Sequence, residues 1–403
     1  MRILFLTDNF PPEVNAPATR TYEHCKEWVK QGAEVTIITC FPNFPQGKVY
    51  KGYKNQWRKI EWMDGIKVIR VWSYMSPNKG FFKRLLDFNS FALTSFFAGL
   101  SEKKDIVIST SPQFFTSFSG FLLSRKKNVK WIFEVRDLWP ESLWMLKRKS
   151  FIYKLFSWFE YFFYNKADKI VVVTNSFKNT IVKNGISPKK INVFFNGSYF
   201  EDTPTNNKDA ALIRKNLKLN DKVILGYIGT FGIAQKLPFF LDLANKLYKR
   251  YPSIHLLFIG DGADREEMVK KVIANNIKNI TILPPIPKNE VNKYLSAIDF
   301  GLVPLRNNPV YHKVIPSKIF EVAAMKKPIL LGVEGEVKDI INKYNIGISF
   351  KPEDPNDFLE KVNDIFKFEI NEQYYNKFFI DFSRKTIALN FFKDIKKLND
   401  EKY

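Results

Sequence analysis

Short apolar runs of strand length alternate with helix-length patterns along almost the whole chain, in two consecutive series. Runs at residues 2–7, 34–40, 66–72, 105–110, 131–135, 169–174 and 191–195 are separated by helical stretches, among them 18–30, 81–100 and 152–165. Apolar runs too short for helices, each followed by a helical pattern, mark parallel strands covered by helices on both faces. After a polar stretch at 201–209 that has little to bury, a second series places strands at 223–228, 254–259, 280–283, 300–303, 328–331 and 347–350. The expected fold is α/β: two doubly wound, Rossmann-like domains at 1–200 and 201–375, with a cleft between them. A closing helix near 376–398 spaces Phe378, Phe382, Phe391 and Ile395 for packing, and 376–403 is expected to return toward the first domain.

At 403 residues with 45% hydrophobic side chains, the chain is long enough for two cores of ordinary size. Lys and Arg outnumber Asp and Glu by 63 to 41, and the resulting net charge of +22 points to an anionic partner. No Arg-rich arm, zinc-finger or RNA-binding signature accompanies the excess, which argues against nucleic acid and for a membrane surface or a phosphorylated substrate. Cys25 and Cys40 make no disulfide framework, and the start Met1-Arg2-Ile3-Leu4-Phe5-Leu6-Thr7-Asp8 turns polar too early for a secretory signal. A cytoplasmic location is expected. No apolar run reaches the roughly 18 residues that spanning a bilayer requires.

Ligands of doubly wound sheets sit at the carboxyl ends of the strands. In the second series the stretch Val314-Ile315-Pro316-Ser317-Lys318-Ile319-Phe320-Glu321 follows such an end. Ser317 reads as an N-cap with outward amides behind it, Lys318 adds a full charge, and Glu321 offers two carboxylate oxygens to a pair of hydroxyls. A diphosphate and a ribose would both be served, although the same string alone also describes a capped surface helix. Gly229-Thr230-Phe231-Gly232 and Gly260-Asp261-Gly262 follow the first two strands of that series, where small residues permit close backbone approach or simply connect strand to helix.

In the first series, Arg136-Asp137-Leu138-Trp139-Pro140-Glu141-Ser142 follows the strand at 131–135. Charges beside Trp and Pro are costly unless paired or used, and Arg136 pairing with Asp137 or Glu141 is the structural alternative. The loop from Pro11 to Arg20, which includes Asn15, holds the same place after the first strand. His24, His255 and His312 are scattered and expected to be structural, with His312 the nearest to Ser317. The sequence has no Asp-x-Asp pair, His/Cys cluster, Walker loop, Gly-x-Ser-x-Gly or Gly-x-Gly-x-x-Gly, so no metal site is expected.

Phe10-Pro11-Pro12-Glu13, Arg136 to Ser142, Val173-Thr174-Asn175-Ser176, Asn196-Gly197, Gly229 to Gly232 with Ala234-Gln235, Gly260 to Gly262 and Pro316 to Glu321 span nearly the whole chain. Together they resemble retaining, nucleotide-sugar-dependent glycosyltransferases of the GT-B fold, family 4. The Arg136 to Ser142 and Pro316 to Glu321 strings look most like the branch with the N-acetyl-L-fucosamine transferases of bacterial O-antigen and capsule assembly. The resemblance implies a UDP-sugar donor as substrate without a separate cofactor, and a polyprenyl-diphosphate-linked saccharide acceptor at the inner leaflet of the membrane. It implies Glu321 on the donor ribose, Ser317 and Lys318 on the diphosphate, and Gly229, Thr230, Gly232, Gly260, Asp261 and Gly262 around the nucleotide. On the acceptor side it implies Asn15, Arg20, Arg136 and Asp137, with Asp137, Lys318 and Glu321 carrying the chemistry.

The chain departs from the family's pattern in three places. Lys313 stands where the first Glu of Glu-x7-Glu is expected, Val14-Asn15-Ala16 replaces the usual Gly-Gly, and no Arg follows the Gly229 loop. These bear on how the sugar is held. The basic and aromatic stretches Phe81-Phe82-Lys83-Arg84-Leu85-Leu86 and 152–163 are of the kind that lies on a membrane interface. Two other classes share part of the pattern: a nucleotide-sugar epimerase of similar fold, and a non-enzymatic basic membrane-binding protein.

Overall fold

A computed structural model describes residues 1–44, 46–75, 81–111, 115–141, 150–200 and 207–401, and only the backbone of Phe81, Phe82, Arg84 and Asn207. Ser142, most of the 201–209 stretch and the side chains of three residues in the 81–86 string therefore lie outside it. The chain forms two compact units, Met1–Asn196 with Arg384–Tyr403, and Gly197–Ser383.

Unit 1 contains strands β1 (Arg2–Leu6), β2 (Glu34–Cys40), β3 (Arg58–Met63), β4 (Ile66–Val71), β5 (Ile106–Thr110), β6 (Lys130–Val135), β7 (Lys169–Val172) and β8 (Ile191–Val193). Its helices are α1 (Ala16–Lys30), α2 (Phe81–Leu100), α3 (Thr116–Lys127), α4 (Phe151–Lys166) and α5 (Asn175–Lys183). The sheet order is β3-β4-β2-β1-β5-β6-β7-β8. All pairings are parallel except β3 with β4. Strand β3 was not expected. It is an edge strand whose Arg58, Lys59 and Glu61 interrupt any apolar run, and only its pairing with β4 makes it a strand. The chain winds outward from β1 through β2 and returns to β5 on the other side of β1, so the winding reverses between β1 and β5.

Unit 2 contains β9 (Val223–Ile228), β10 (Ile254–Ile259), β11 (Ile280–Leu283), β12 (Phe300–Pro304), β13 (Ile329–Gly332) and β14 (Gly347–Ser349), in the order β11-β10-β9-β12-β13-β14 and parallel throughout. Before, between and after them run α6 (Asn207–Leu217), α7 (Pro238–Arg250), α8 (Arg265–Ala274), α9 (Val291–Ala297), α10 (Lys318–Ala324), α11 (Glu336–Tyr344), α12 (Pro355–Ile365) and α13 (Glu372–Phe382). Here the winding reverses between β9 and β12. Leu225, Leu256, Phe258 and Leu330 from the strands meet Phe240, Leu247 and Phe358 from the helices in one core.

The single helix expected at 376–398 is two. Ser383 is extended, at φ −60° and ψ 120°, and bridges to Ser198, which ends α13 and begins α14 (Arg384–Asp400). Residues 376–383 thus belong to unit 2, where Phe378 and Phe382 pack on Phe320 of α10. In contrast, α14 completes the core of unit 1. Phe391, Phe392 and Ile395 pack with Ile3, Phe5 and Trp28, and the indole Nε1 of Trp28 donates to the Ala388 carbonyl at 2.9 Å. Among the described residues no helix is long and apolar enough to cross a membrane.

Candidate functional site

In unit 2 the loops after β9, β10 and β12 converge at the reversal point. The Arg306 amide donates to the Ala234 carbonyl at 2.8 Å, which joins the β12 loop to the β9 loop. On the other side, Phe231 donates to the Asp261 carbonyl at 2.8 Å and Asp264 to the Phe231 carbonyl at 3.0 Å, which joins the β9 loop to the β10 loop. Two glycines make this approach possible. A methyl group on Gly260, at φ +146°, would lie 1.8 Å from the Gly229 carbonyl oxygen. A methyl group on Gly229, at φ +150°, would lie 1.9 Å from the Lys318 ammonium nitrogen, so the missing side chain is the space that the ammonium fills.

Lys318 Nζ donates to the Ile228 carbonyl at 2.5 Å and lies 5.0 Å from the centre of the Tyr227 ring. Burial holds its pKa below the ordinary lysine value, while Glu321 pulls the other way. Glu321 is exposed. Burial and the Glu321 charge push the Tyr227 phenol above its usual range, and Tyr227 Oη donates to the Thr230 carbonyl at 2.7 Å, fixing the β9 loop. The sequence reading missed Tyr227; the available signal was an aromatic residue two before Gly229 in an otherwise aliphatic strand.

One expectation at this site is corrected. Ser317 makes no capping bond, because its own backbone is already helical at φ −59° and ψ −23°. The amides that should have faced outward close a tight turn instead: Ile319 donates to the Pro316 carbonyl at 3.2 Å and Phe320 to the Ser317 carbonyl at 3.0 Å. With a helix of seven residues behind them, attraction for an anion rests on the Lys318 charge rather than on a helix terminus. The other residues named for the donor, Gly229, Thr230, Gly232, Gly260, Asp261, Gly262 and Glu321, belong to the loops that converge here or to the first turn of α10.

In unit 1, the residues named for the acceptor take different parts. Asn15 caps α1: its Oδ1 accepts from the Ala18 amide at 2.9 Å and its Nδ2 donates to Asn9 at 2.6 Å. Arg20 is 1% exposed, ion-paired with the fully buried Glu134 and directed at the Phe194 carbonyl, so a role on the acceptor is not available to it. Burial works against the Glu134 charge, but Arg20 and Arg136 outweigh it and hold the carboxyl below its usual range.

Arg136 is different. Its amide and that of Asp137 donate to Ser111 Oγ at 2.8 and 3.3 Å, tying the ends of β5 and β6 together. Its Nε and Nη1 are buried with no hydrogen-bond partner, so the expected structural alternative, a pair with Asp137 or Glu141, is not formed by these atoms. Burial, then Arg20, push its pKa down to about 10 against the pull of Glu134 and Asp137. His24, lodged between Trp28 and Phe391, is kept neutral by burial and by Arg20, Arg384 and Arg136. A further group escaped the sequence reading: burial, then Asp87 and Glu13, raise the Asp8 carboxyl at the end of β1 well above its usual range.

Among the described residues no cluster of His, Cys, Asp and Glu could hold a metal ion. In a doubly wound unit the reversal point is where ligands lie, and Lys318 places its ammonium there. Residues 15–197 match the glycosyl transferase 4-like domain and residues 209–378 the glycosyl transferases group 1 domain, and the chain belongs to the glycosyltransferases built from these two. It is 24% identical over 336 residues, 81% of each chain, to WcaI of Escherichia coli (strain K12), named as a colanic acid biosynthesis glycosyl transferase. The structure of sucrose-phosphate synthase from Thermosynechococcus elongatus matches with a TM-score of 0.78 at 14% identity, covering 98% of both chains. That of Anabaena HepE in complex with UDP and glucose matches with a TM-score of 0.70 at 13% identity, covering 98% of this chain and 99% of the other. The fold is that of the GT-B glycosyltransferases.

Proposed function

We propose that the protein transfers a sugar from a UDP-sugar to a lipid-linked saccharide during assembly of a bacterial surface polysaccharide, with retention at the anomeric carbon and without a metal ion. The observation that carries the donor half is the Lys318 ammonium, seated against Gly229 at the reversal point of unit 2 with Glu321 one turn along α10. In the reaction, the bond from the sugar C1 to the β-phosphate oxygen breaks and its electrons pass to the phosphate. Lys318 stabilises that growing charge. The acceptor hydroxyl oxygen bonds to C1 from the same face, and its proton leaves with the UDP. Glu321 holds the ribose hydroxyls, Ser317 offers its exposed hydroxyl to the diphosphate, and Asp137 orients the acceptor or the sugar. The UDP bound to HepE and the colanic acid pathway in the name of WcaI support the donor and the setting.

A lipid-linked acceptor agrees with the outer face of α2 and α4. Leu86, Leu93 and Phe97 on α2 and Phe151, Leu155 and Trp158 on α4 are exposed, beside Lys154 and Lys166. N-acetyl-L-fucosamine is the proposed sugar. Incubation with a panel of UDP-sugars and polyprenyl-diphosphate saccharides, with the product's anomeric configuration read by NMR, is the test. Inversion, a requirement for metal, or donor conversion without acceptor would each reject the part concerned.

A further inference from the structure

The Arg136 guanidinium is out of balance with its surroundings. Nε and Nη1 are shielded from solvent and have no partner. Glu134 is paired with Arg20 and Glu23 with Arg384, and no ion pair of Arg136 is formed among the described residues. The charges of Arg20 and Arg384 oppose its own. Arginine does not shed its proton at neutral pH, and although Glu134 and Asp137 favour its charge, neither accepts from Nε or Nη1, which leaves two shielded donors for a ligand to complete. The residue keeps partial exposure, so one side remains open, and a guanidinium fork fits the paired oxygens of a phosphate or carboxylate.

We propose that Arg136 anchors an oxyanion site in unit 1, which takes a phosphate or carboxylate carried by the acceptor. This deepens the transferase reading and rests on it for the identity of the ligand as acceptor. The lipid diphosphate and an acidic sugar are the two sources of such a group.

Thermal unfolding of the full chain tests it, with saturating UDP present and with geranyl diphosphate, geraniol or glucuronate added. Geranyl diphosphate should raise the midpoint beyond the UDP value, and Arg136→Gln should weaken that effect at least tenfold. The same behaviour with glucuronate would make an acidic sugar the source. Without ligand, Arg136→Gln should unfold at the same temperature as the parent or higher, because it removes two shielded donors that have no partner; an arginine kept for a structural ion pair would give the reverse. The proposal is overturned by a rise that survives Arg136→Gln, by geraniol acting as well as its diphosphate, by no rise with either anion, or by loss of unliganded stability in Arg136→Gln. Failure of UDP to stabilise the parent would instead count against the donor reading alone.

Discussion

Replacing Lys318 with Met tests the donor site most directly, because the structure separates what the charge costs from what it does. In the unliganded protein the ammonium has one carbonyl acceptor and the face of Tyr227, and burial opposes its charge. Met keeps the length and the apolar stem of the side chain. Folding stability should therefore be unchanged or slightly higher, within ~1 kcal/mol.

Catalysis should respond very differently. A unit charge about 4 Å from a phosphate oxygen contributes roughly 4 kcal/mol at an effective dielectric constant near 20. Deleting a single charge-stabilising donor costs about 2.7–4 kcal/mol of barrier in practice, a fall of roughly 100- to 1,000-fold in kcat. The assay is initial-rate kinetics with donor and acceptor, paired with thermal unfolding in UDP, where saturation at about 100 times Kd stabilises by about 2.7 kcal/mol. A Lys318→Met protein with kcat within about threefold of the parent would refute the role given to the ammonium. The pH dependence follows from the same burial. Since the folded pKa lies below the unfolded one, the unfolded chain binds more protons in the interval between them, and this residue's contribution to stability rises with pH there. Diphosphate binding moves the opposite way and should weaken as pH climbs through that lowered pKa, at lower pH than an ordinary lysine would allow.

Gly260→Ala should abolish UDP-induced stabilisation, since its methyl group meets the Gly229 carbonyl, which cannot step aside as a side chain would; a normal thermal shift would refute the loop packing described. Glu134→Gln strands the charge of Arg20 in the interior and should cost about 3–5 kcal/mol in a denaturant melt, and a loss below ~1 kcal/mol would show that the pair is not needed. That contribution is complete above the unfolded carboxyl pKa and is lost as pH falls through the lower folded one. Phe391→Ala should cost about 3–5 kcal/mol because its ring stacks on Phe194 at 4.8 Å and meets Trp28 edge-on at 5.3 Å; a small loss in a melt of the full chain would show that α14 is dispensable to unit 1. Glu321→Gln keeps the shape but not the charge, and should raise KM for the donor more than it lowers kcat, with equal losses in both counting against a ribose contact.

What the sequence disclosed and what it hid divide along physical lines. Strands buried on both faces, such as β5 and β10, announce themselves as continuous apolar runs because no position can face water. Strand β3 could not, since its residues are chosen by an edge and by solvent. The close-packed loops after β9 and β10 were legible because glycine is required where backbones approach, whereas Tyr227 was not, since an aromatic at a strand end has no spacing to mark it. Ser317 misled because the usual capping pattern presumes an extended residue, and here the turn begins one residue earlier, at Pro316.

Arg136 shows the limit most clearly, and also how the sequence could have been read further. Adjacency suggested a pair with Asp137, but both residues lie beyond the end of β6, where strand alternation no longer sets direction; along β6 itself, residues two apart share a face. On β6, Trp131 and Phe133 meet Phe163 of α4, and Ile132 packs in the core that holds Trp28 and Phe391. Glu134 continues that second face and meets Arg20 of α1. Arg136 lies one residue beyond the strand, near Arg20, His24 and Arg384 as well as Glu134 and Asp137, and neither carboxylate bonds its Nε or Nη1. Glu134 is taken by Arg20 and Glu23 by Arg384, so the Arg136 guanidinium keeps unbonded donors just past the end of β6. Unbonded donors of that kind, at a carboxyl strand end, are what a substrate oxyanion would complete.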